Sequence, residues 1–410
     1  MKHDQTKQPE DLTLLRQEID RIDRQMMTLF AERMTVAEQI AAFKQTTKKP
    51  VYDALREEEH LSEMMADLDD QHQTQGVSFA KSVMRLSRTT QYRHLINAGA
   101  DFQIGRQLTE AEPQEIRVQC AVTQGSAGAY AEQACRLLFP DARQINAPTF
   151  QQACDKVRDG SADVAVLPLE NSTAGTVDDV YEALLKDDLH IWRSLSLMIQ
   201  HHLLGIPGSD LQTIQTVVSH PQALAQCSEL IHRRGWSMRE SLNTAFAAEQ
   251  VAAAGDPSLA AIGSAAAAKK HQLVVLKDAI SNTTSNQTRF VVVGRTFKVT
   301  PDAERISLIL KLPHAIGALA ATLSIFSDCG LNLSKIQSRP DPDSPWRYLF
   351  YLDFECSQAD LNQALAALYQ LYSEMPYIRL LGWYHEIKTD SHPTGQSTGD
   401  DSDDSTQSSQ

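Results

Sequence analysis

The chain has no C-x-x-C pair. Its six cysteines (Cys120, Cys135, Cys154, Cys227, Cys329 and Cys356) stand far apart in 410 residues. That spacing excludes a zinc ribbon and a disulfide scaffold, and no His, Asp or Glu set at ligand spacing points to a metal. Nor is there a run near the roughly 18 consecutive apolar residues that a membrane-crossing helix requires. The first ten residues are polar and lack the apolar core of a secretory signal, so a cytoplasmic protein with reduced thiols is expected. Positive charge is also scarce. The formal net charge is −14, and residues 389–410 hold five aspartates (Asp390, Asp400, Asp401, Asp403 and Asp404) with no Lys or Arg. An acidic body argues against nucleic acid and anionic membranes as partners, although small anions answer to local cations. What remains is an ordinary globular composition, 42% hydrophobic and 22% charged. At roughly 150 residues per domain, the length suggests two or three domains.

The first hundred residues read as helical. Leu12, Leu15, Ile19, Ile22, Met26, Leu29, Val36, Ile40 and Phe43 recur every three or four positions, with one missing beat at Arg33. This predicts one amphipathic helix of about 33 residues, about 50 Å long at 1.5 Å per residue. Further helices are predicted from near Asp53 and near Val77. So long a helix cannot bury its apolar stripe within three helices, so a partner helix from a second copy is expected. Residues 98–114, with Gly99, Gly105 and Pro113, read as a linker.

From about 115 the pattern becomes short apolar strands alternating with helices, an α/β domain of two lobes running to 296. From Arg305 the predicted order is strand, helix, strand, strand, helix, strand, which is the ferredoxin-like split arrangement over 304–388. The tail 389–410 is expected to be disordered. The chain is therefore expected to be multidomain: all-α over 1–97, α/β over 115–296 and α+β over 304–388.

Candidate chemistry in the helical part begins with Arg33. A charge in an otherwise apolar stripe needs a partner, since leaving it unpaired costs several kcal/mol. Lys44, eleven residues on, lies about 20° away around the helix. Asp53 and Glu57 are spaced i, i+4, as are Ser87 and Gln91. Taken by themselves, Arg16, Arg56 and Glu57 read as a solvated helix face. Converged, the set would suit a small dianion bearing a hydroxyl.

The order Arg16, Arg33, Lys44, Asp53, Arg56, Glu57, Ser87, Gln91 resembles the active-site pattern of the all-helical chorismate mutases over residues 10–95. The resemblance implies an intertwined dimer in which Arg16 serves the other subunit's site. It also implies a pericyclic conversion of chorismate to prephenate without covalent or proton-transfer steps. By carry-over Arg16, Arg33 and Arg56 would meet carboxylates or the ether region. Lys44 and Gln91 would donate to the ether oxygen, Glu57 would hold the ring hydroxyl, and Asp53 and Ser87 would bind substrate.

In the α/β part, four short motifs fall at strand or helix ends, where α/β clefts place ligands. They are Gly125-Ser-Ala-Gly128-Ala-Tyr130, Glu170-Asn-Ser-Thr173-Ala-Gly175, Ser219-His-Pro-Gln222 and Thr288-Arg-Phe290. Alone, each reads as a cap or a turn, and His201-His202 reads as packing. Together they resemble prephenate dehydratase over 115–295. The resemblance implies a two-lobed fold like that of periplasmic binding proteins, with prephenate in the cleft losing carbon dioxide and water to give phenylpyruvate. It gives Thr288 the acid role and lines the cleft with Asn171, Ser172, Thr173, Ser219, His220 and Gln226. Arg289 would anchor a carboxylate or pair within its lobe. The chain departs from the pattern at Ser126, near Ser194 and at Leu242, the last two leaving the site less acidic.

Pro313-His-Ala-Ile-Gly317-Ala318-Leu319 and Ile336-Gln337-Ser338-Arg339-Pro340 resemble the two motifs of the ACT regulatory domain. There they bind phenylalanine between paired domains, so these residues would form an effector site. The family usually carries glutamate where Gln337 stands. A plain dimerisation module is the other reading of this domain.

The three resemblances imply a bifunctional chorismate mutase and prephenate dehydratase with phenylalanine feedback, acting on chorismate and prephenate without a cofactor. Its partners would be copies of itself, in a homodimer or higher oligomer. Two alternatives stay open: arogenate as the dehydratase substrate, and a mutase fused to a non-catalytic sensor.

Overall fold

The computed structural model describes residues 12–66, 68–126 and 128–389. The expected disorder of the tail from Asp390 lies outside these residues. The chain divides into two compact units. One holds the chain up to Arg117 with Leu189–Trp192 and Gly294–His385, and the other holds Val118–Asp188, Arg193–Val293 and the chain from Glu386.

The first unit opens with helix α1 (Leu12–Thr47), followed by α2 (Ala54–Met65), α3 (Gln73–Asn97) and α4 (Gln103–Thr109). Asp53 caps α2 by accepting from the Arg56 amide at 3.2 Å. Two stripes run along α1. The small residues Ala37 and Ala41 are buried and let the helix pack closely on α3. The large apolar stripe points away: Ile19 is 59% exposed, Leu29 65% and Phe43 61%. Arg33 belongs to the α3-facing stripe with Ala37, Ala41 and Lys44, so its departure from the apolar seam is a change of face. The stretch 98–114 is not a bare linker. It contains α4, and Phe102, Ile104 and Leu108 are buried in the core of the C-terminal domain. Their apolar spacing over seven residues is too short to stand out against the surrounding glycines and polar residues.

The second unit is built on two sheets. Its strands are β1 (Cys120–Gln124), β2 (Arg143–Ala147), β3 (Val164–Asn171), β4 (Gly175–Thr176), β5 (His190–Met198), β6 (His202–Gly205), β7 (Thr216–Ser219), β8 (Ser237–Glu240), β9 (Leu259–Gly263), β10 (Val274–Lys277) and β11 (Gln287–Gly294). Its helices are α5 (Tyr130–Leu138), α6 (Phe150–Arg158), α7 (Asp178–Lys186), α8 (Pro221–Gln226), α9 (Ser228–Arg234), α10 (Thr244–Ala254) and α11 (Ala265–Lys270). One sheet runs in the order β5, β11, β3, β1, β2, with β4 paired to β3; the other runs β10, β6, β9, β7, β8. Parallel pairs such as β1 with β3 and β7 with β9 are largely buried apolar runs, as doubly covered strands are, whereas the edge strand β2 is mostly polar. The helices α8 and α9 follow one another with a single interruption at Cys227.

Gly128 shows how tightly the two lobes approach. Its φ is +91°, and a Cβ there would lie 3.0 Å from Ala267 Cα, at the start of α11 in the other lobe. Both the backbone angle and the contact require glycine.

The C-terminal domain of the first unit contains β12 (Arg305–Lys311), α12 (Ala318–Asp328), β13 (Leu333–Pro340), β14 (Tyr348–Glu355), α13 (Leu361–Glu374) and β15 (Tyr377–Tyr384). Its antiparallel sheet runs β13, β14, β12, β15, the expected split arrangement. The last predicted strand ends early. Residues Glu386–Lys388 form β16, which joins β5 in the second unit. Among the described residues no helix is long and apolar enough to cross a membrane. All six cysteines are free and buried.

Candidate active sites

Three helices assemble the first site. From α1, the Arg33 guanidinium donates to the Val83 carbonyl at 3.2 Å and to Ser87 Oγ on α3. Lys44 Nζ, one turn from the end of α1, donates to the Val51 carbonyl at 2.7 Å. Burial pulls the Arg33 pKa down, opposed by the charge of Glu57. Burial likewise lowers Lys44, opposed by Asp53 and Glu57. Both cations are therefore partly dehydrated near Glu57, where charge interactions are stronger than in water, while Asp53 at the exposed cap of α2 acts on Lys44.

Gln91 sits one turn beyond Ser87, 7% exposed. Its Oε1 is buried and has no hydrogen-bond partner among the described residues. A buried orphan amide end is costly, and turning the amide over presents Nε2 to an incoming acceptor. Arg33 thus meets Ser87 directly, Glu57 is felt by both Arg33 and Lys44, and Gln91 lies one turn beyond Ser87 on α3. Arg56 does not join them: it is exposed and pairs along its own helix with Glu59 at 3.5 Å and Glu63 at 3.9 Å. Arg16 is also exposed, and lies about 25 Å along α1 from Arg33 at 1.5 Å per residue. It cannot serve the same site within one chain. Sequence reasoning missed Arg88, which follows Ser87 on α3 and holds Glu57 at 2.5 and 2.6 Å.

The second site lies at the ends of β3 and β11. Asn171 Nδ2 donates to Thr288 Oγ1 at 2.9 Å and to Asn286 Oδ1 at 2.7 Å. Asn171 Oδ1 in turn accepts from the Thr173 amide and hydroxyl and from the Ala174 amide. This fixes the Asn171 amide from both ends. Because Asn171 occupies an acceptor position on Thr288, the Thr288 hydroxyl keeps its proton to donate. Gln226 reaches in from α8, donating to Thr173 Oγ1 at 2.5 Å and accepting from Asn286 at 3.1 Å and from His201 Nε2 at 3.0 Å. Burial lowers the His201 pKa against the opposing Gln226 bond, so the ring stays neutral. The cluster consists of neutral amides, hydroxyls and one neutral imidazole.

Arg289 points away from it. Successive strand residues face opposite sides, and its guanidinium donates to Glu170 at 3.1 Å, with Glu386 3.9 Å from Nε. Of the two expectations for Arg289, pairing within the lobe is the one the geometry contains. Ser172 bridges Ser285 and Gln287. Ser219 is buried on the Ile262 carbonyl, and His220 caps α8 through the Gln222 amide. Asn286 and His201 were not among the expected site residues. Strand alternation identifies Asn286, two positions before Thr288 on the same face. His201 had been set aside as packing.

In the C-terminal domain Gly317 caps α12 with a φ of +77°. Ala318 and Leu319 line a cavity of about 390 Å³ together with Lys311, Asp341, Trp346 and Tyr348. Gln337, Ser338, Arg339 and Pro340 lie along the edge strand β13, outside that lining. Among the described residues no group of three or more His, Cys, Asp or Glu side chains is placed to hold a metal.

Residues 15–92 match the family model of type II chorismate mutase, and residues 121–298 match that of prephenate dehydratase. A bifunctional chorismate mutase/prephenate dehydratase of Enterobacter agglomerans is 32% identical over 380 residues, covering 91% of this chain and 95% of the relative. This chain belongs to the bifunctional chorismate mutase/prephenate dehydratases. It carries both enzymes of that family, an isomerase and a lyase of phenylalanine biosynthesis, on one polypeptide. An Arabidopsis thaliana chloroplastic arogenate dehydratase/prephenate dehydratase is 36% identical over 68% of this chain and 75% of its own length. A crystal structure of prephenate dehydratase from Arthrobacter aurescens in complex with L-Phe is similar at a TM-score of 0.60 and 29% identity. It covers 65% of this chain and 89% of that one.

Proposed function

We propose that the cationic cluster on α1–α3 is the mutase site and the amide cluster on β3 and β11 the dehydratase site. In the mutase, Arg33 and Lys44 bind the chorismate carboxylates and ether region, with Gln91 donating to the ether oxygen as negative charge builds there. Glu57 accepts from the ring hydroxyl, which together with the cations selects the reactive shape. The α1 stripe packs against a second copy, and Arg16 completes the partner's site. What supports this is the large exposed apolar face of α1 and the distance of Arg16 from Arg33. Arg56 then reaches substrate only by leaving Glu59 and Glu63.

In the dehydratase, Thr288 donates to the departing hydroxyl of prephenate. The electron pair of the breaking carboxylate carbon–carbon bond enters the ring, carbon dioxide leaves, and the C–O bond breaks as the ring becomes aromatic. Because aromatisation supplies the driving force, a positioned neutral donor suffices. The single observation carrying this is the hydrogen bond from Asn171 into Thr288, which frees the hydroxyl proton for substrate. The C-terminal domain is read as an ACT domain that takes L-phenylalanine near Gly317–Leu319. The motif at Gln337–Pro340 would meet the ligand across a domain pair, since it stands outside the cavity of one copy. Buried, unpaired thiols fit a cytoplasmic protein.

The test is to supply chorismate, prephenate and arogenate separately, with and without L-phenylalanine, and quantify the products. Phenylpyruvate from chorismate and from prephenate, suppressed by phenylalanine, is the expected result. Faster turnover of arogenate would replace prephenate as the second substrate. Phenylpyruvate output indifferent to phenylalanine would remove the effector role.

A further inference from the structure

Arg88 occupies a position neither cluster explains. It follows Ser87 on α3, so it projects about 100° around the helix from Ser87 and about 60° from Gln91. Its Nη1 lies 2.5 and 2.6 Å from the two Glu57 oxygens, while its Nε donates to Glu374 on α13 at 2.8 Å. The arrangement is sequestered: the Arg88 side chain is 13% exposed, Glu57 27% and Glu374 7%. Tyr52 covers the guanidinium, its ring centroid 5.1 Å away. Two further contacts brace the same helix against the C-terminal domain. Thr89 donates to Gln370 on α13 at 2.8 Å, and Arg85 pairs with Asp328 at the end of α12 at 2.7 Å.

We infer that Arg88 is a positioning residue of the mutase, orienting the Glu57 carboxylate while being itself oriented by Glu374 of the C-terminal domain. A lone guanidinium on a flexible stem can swing, but one bonded through Nε to a buried carboxylate and covered by an aromatic ring has a fixed plane. A carboxylate has about four lone-pair positions. Arg88 uses two on Glu57 and leaves the others for a hydroxyl. Burial raises the pKa of Glu374, and Arg88 opposes that shift, so the pair depends on each partner staying in place. A displacement of α13 would therefore be felt at Glu57 through one side chain. The inference rests on the reading that Glu57 holds the substrate hydroxyl.

The test is a double-mutant cycle in the full chain, with Glu57→Gln as control and dehydratase kinetics on prephenate as internal reference. Arg88→Met is expected to lower mutase kcat/KM by roughly tenfold or more, with most of the loss in KM. Arg88→Lys should recover part of it. Glu374→Gln should cost roughly three- to tenfold in the wild-type background and nothing further in Arg88→Met, because it acts through Arg88. Dehydratase parameters should stay within twofold of wild type. Additive losses, or an Arg88→Met enzyme with wild-type mutase KM while Glu57→Gln is impaired, would overturn the inference. A wild-type mutase in Glu57→Gln would instead overturn the site reading beneath it. If Arg88→Met does not fold, Arg88→Lys with and without Glu374→Gln carries the same cycle.

Discussion

The two sites meet opposite demands with opposite chemistry. The helical site gathers formal charges, Arg33 and Lys44 with Asp53 and Glu57, from helices whose side chains radiate from continuous backbone. The α/β site gathers almost no charge. Its proposed groups are Asn171, Thr173, Gln226, Asn286 and Thr288, held by one another near strand ends. A pericyclic rearrangement of a dianion breaks no bond to hydrogen, so the protein must supply fixed cations and shape. Loss of hydroxide from a ring about to become aromatic needs a donor more than a field. Where charge does occur beside the second site, at Arg289, it is neutralised by Glu170 and Glu386 on the far face of the strand.

The sharpest way to break this contrast is charge removal in the helical site. Arg33→Ala should lower mutase kcat/KM by roughly 100- to 1,000-fold, the scale of losing one oriented stabilising group, and leave turnover of supplied prephenate unchanged. Equal loss of both activities in steady-state assays would contradict two independent sites. Next, Asn171→Ala should reduce dehydratase kcat by roughly ten- to 100-fold, because it removes the bond that orients Thr288. A mutase assay on the same preparation should read wild type. Third, Met26→Asp on the exposed α1 stripe should shift the mass seen by light scattering towards the monomer. On the proposal that Arg16 completes a partner copy's site, it should weaken the mutase more than the dehydratase.

How far the sequence carried this contrast depends on the element. Arg33 and Lys44 were legible because an eleven-residue separation on one helix fixes their angle, whatever the helix packs on. Ser87 and Gln91 were legible for the same reason. The face of Arg33 was not legible: periodicity sets it in the large apolar stripe, whereas it belongs with the small residues Ala37 and Ala41 that meet α3. Arg88 was invisible because its significance comes from Glu374, 286 positions away. In the α/β part Thr288 and Asn171 were marked by motifs. Arg289 shows the limit of motif reading, since adjacent residues of one motif point to opposite faces. The helix in 98–114 was hidden because its apolar residues serve a domain two hundred residues further on.

The smallest effect concerns His201. Its folded pKa lies below the ordinary histidine value near 6.5 because of burial. Between the folded and unfolded pKa values the unfolded chain binds the extra proton, so stability falls as pH drops below about 6.5. Thermal melts at pH 7.5 and 5.5 should show a larger acid loss in wild type than in His201→Gln. An identical loss would show that the ring is not held neutral.

In the proposed dehydratase site a neutral hydroxyl, positioned by a neutral amide, is the group that releases water. The most direct measurement supplies chorismate to Thr288→Val and follows both products with time. Prephenate should accumulate at the wild-type mutase rate while phenylpyruvate formation falls by roughly 100-fold or more. Phenylpyruvate appearing at the wild-type rate would contradict the assignment.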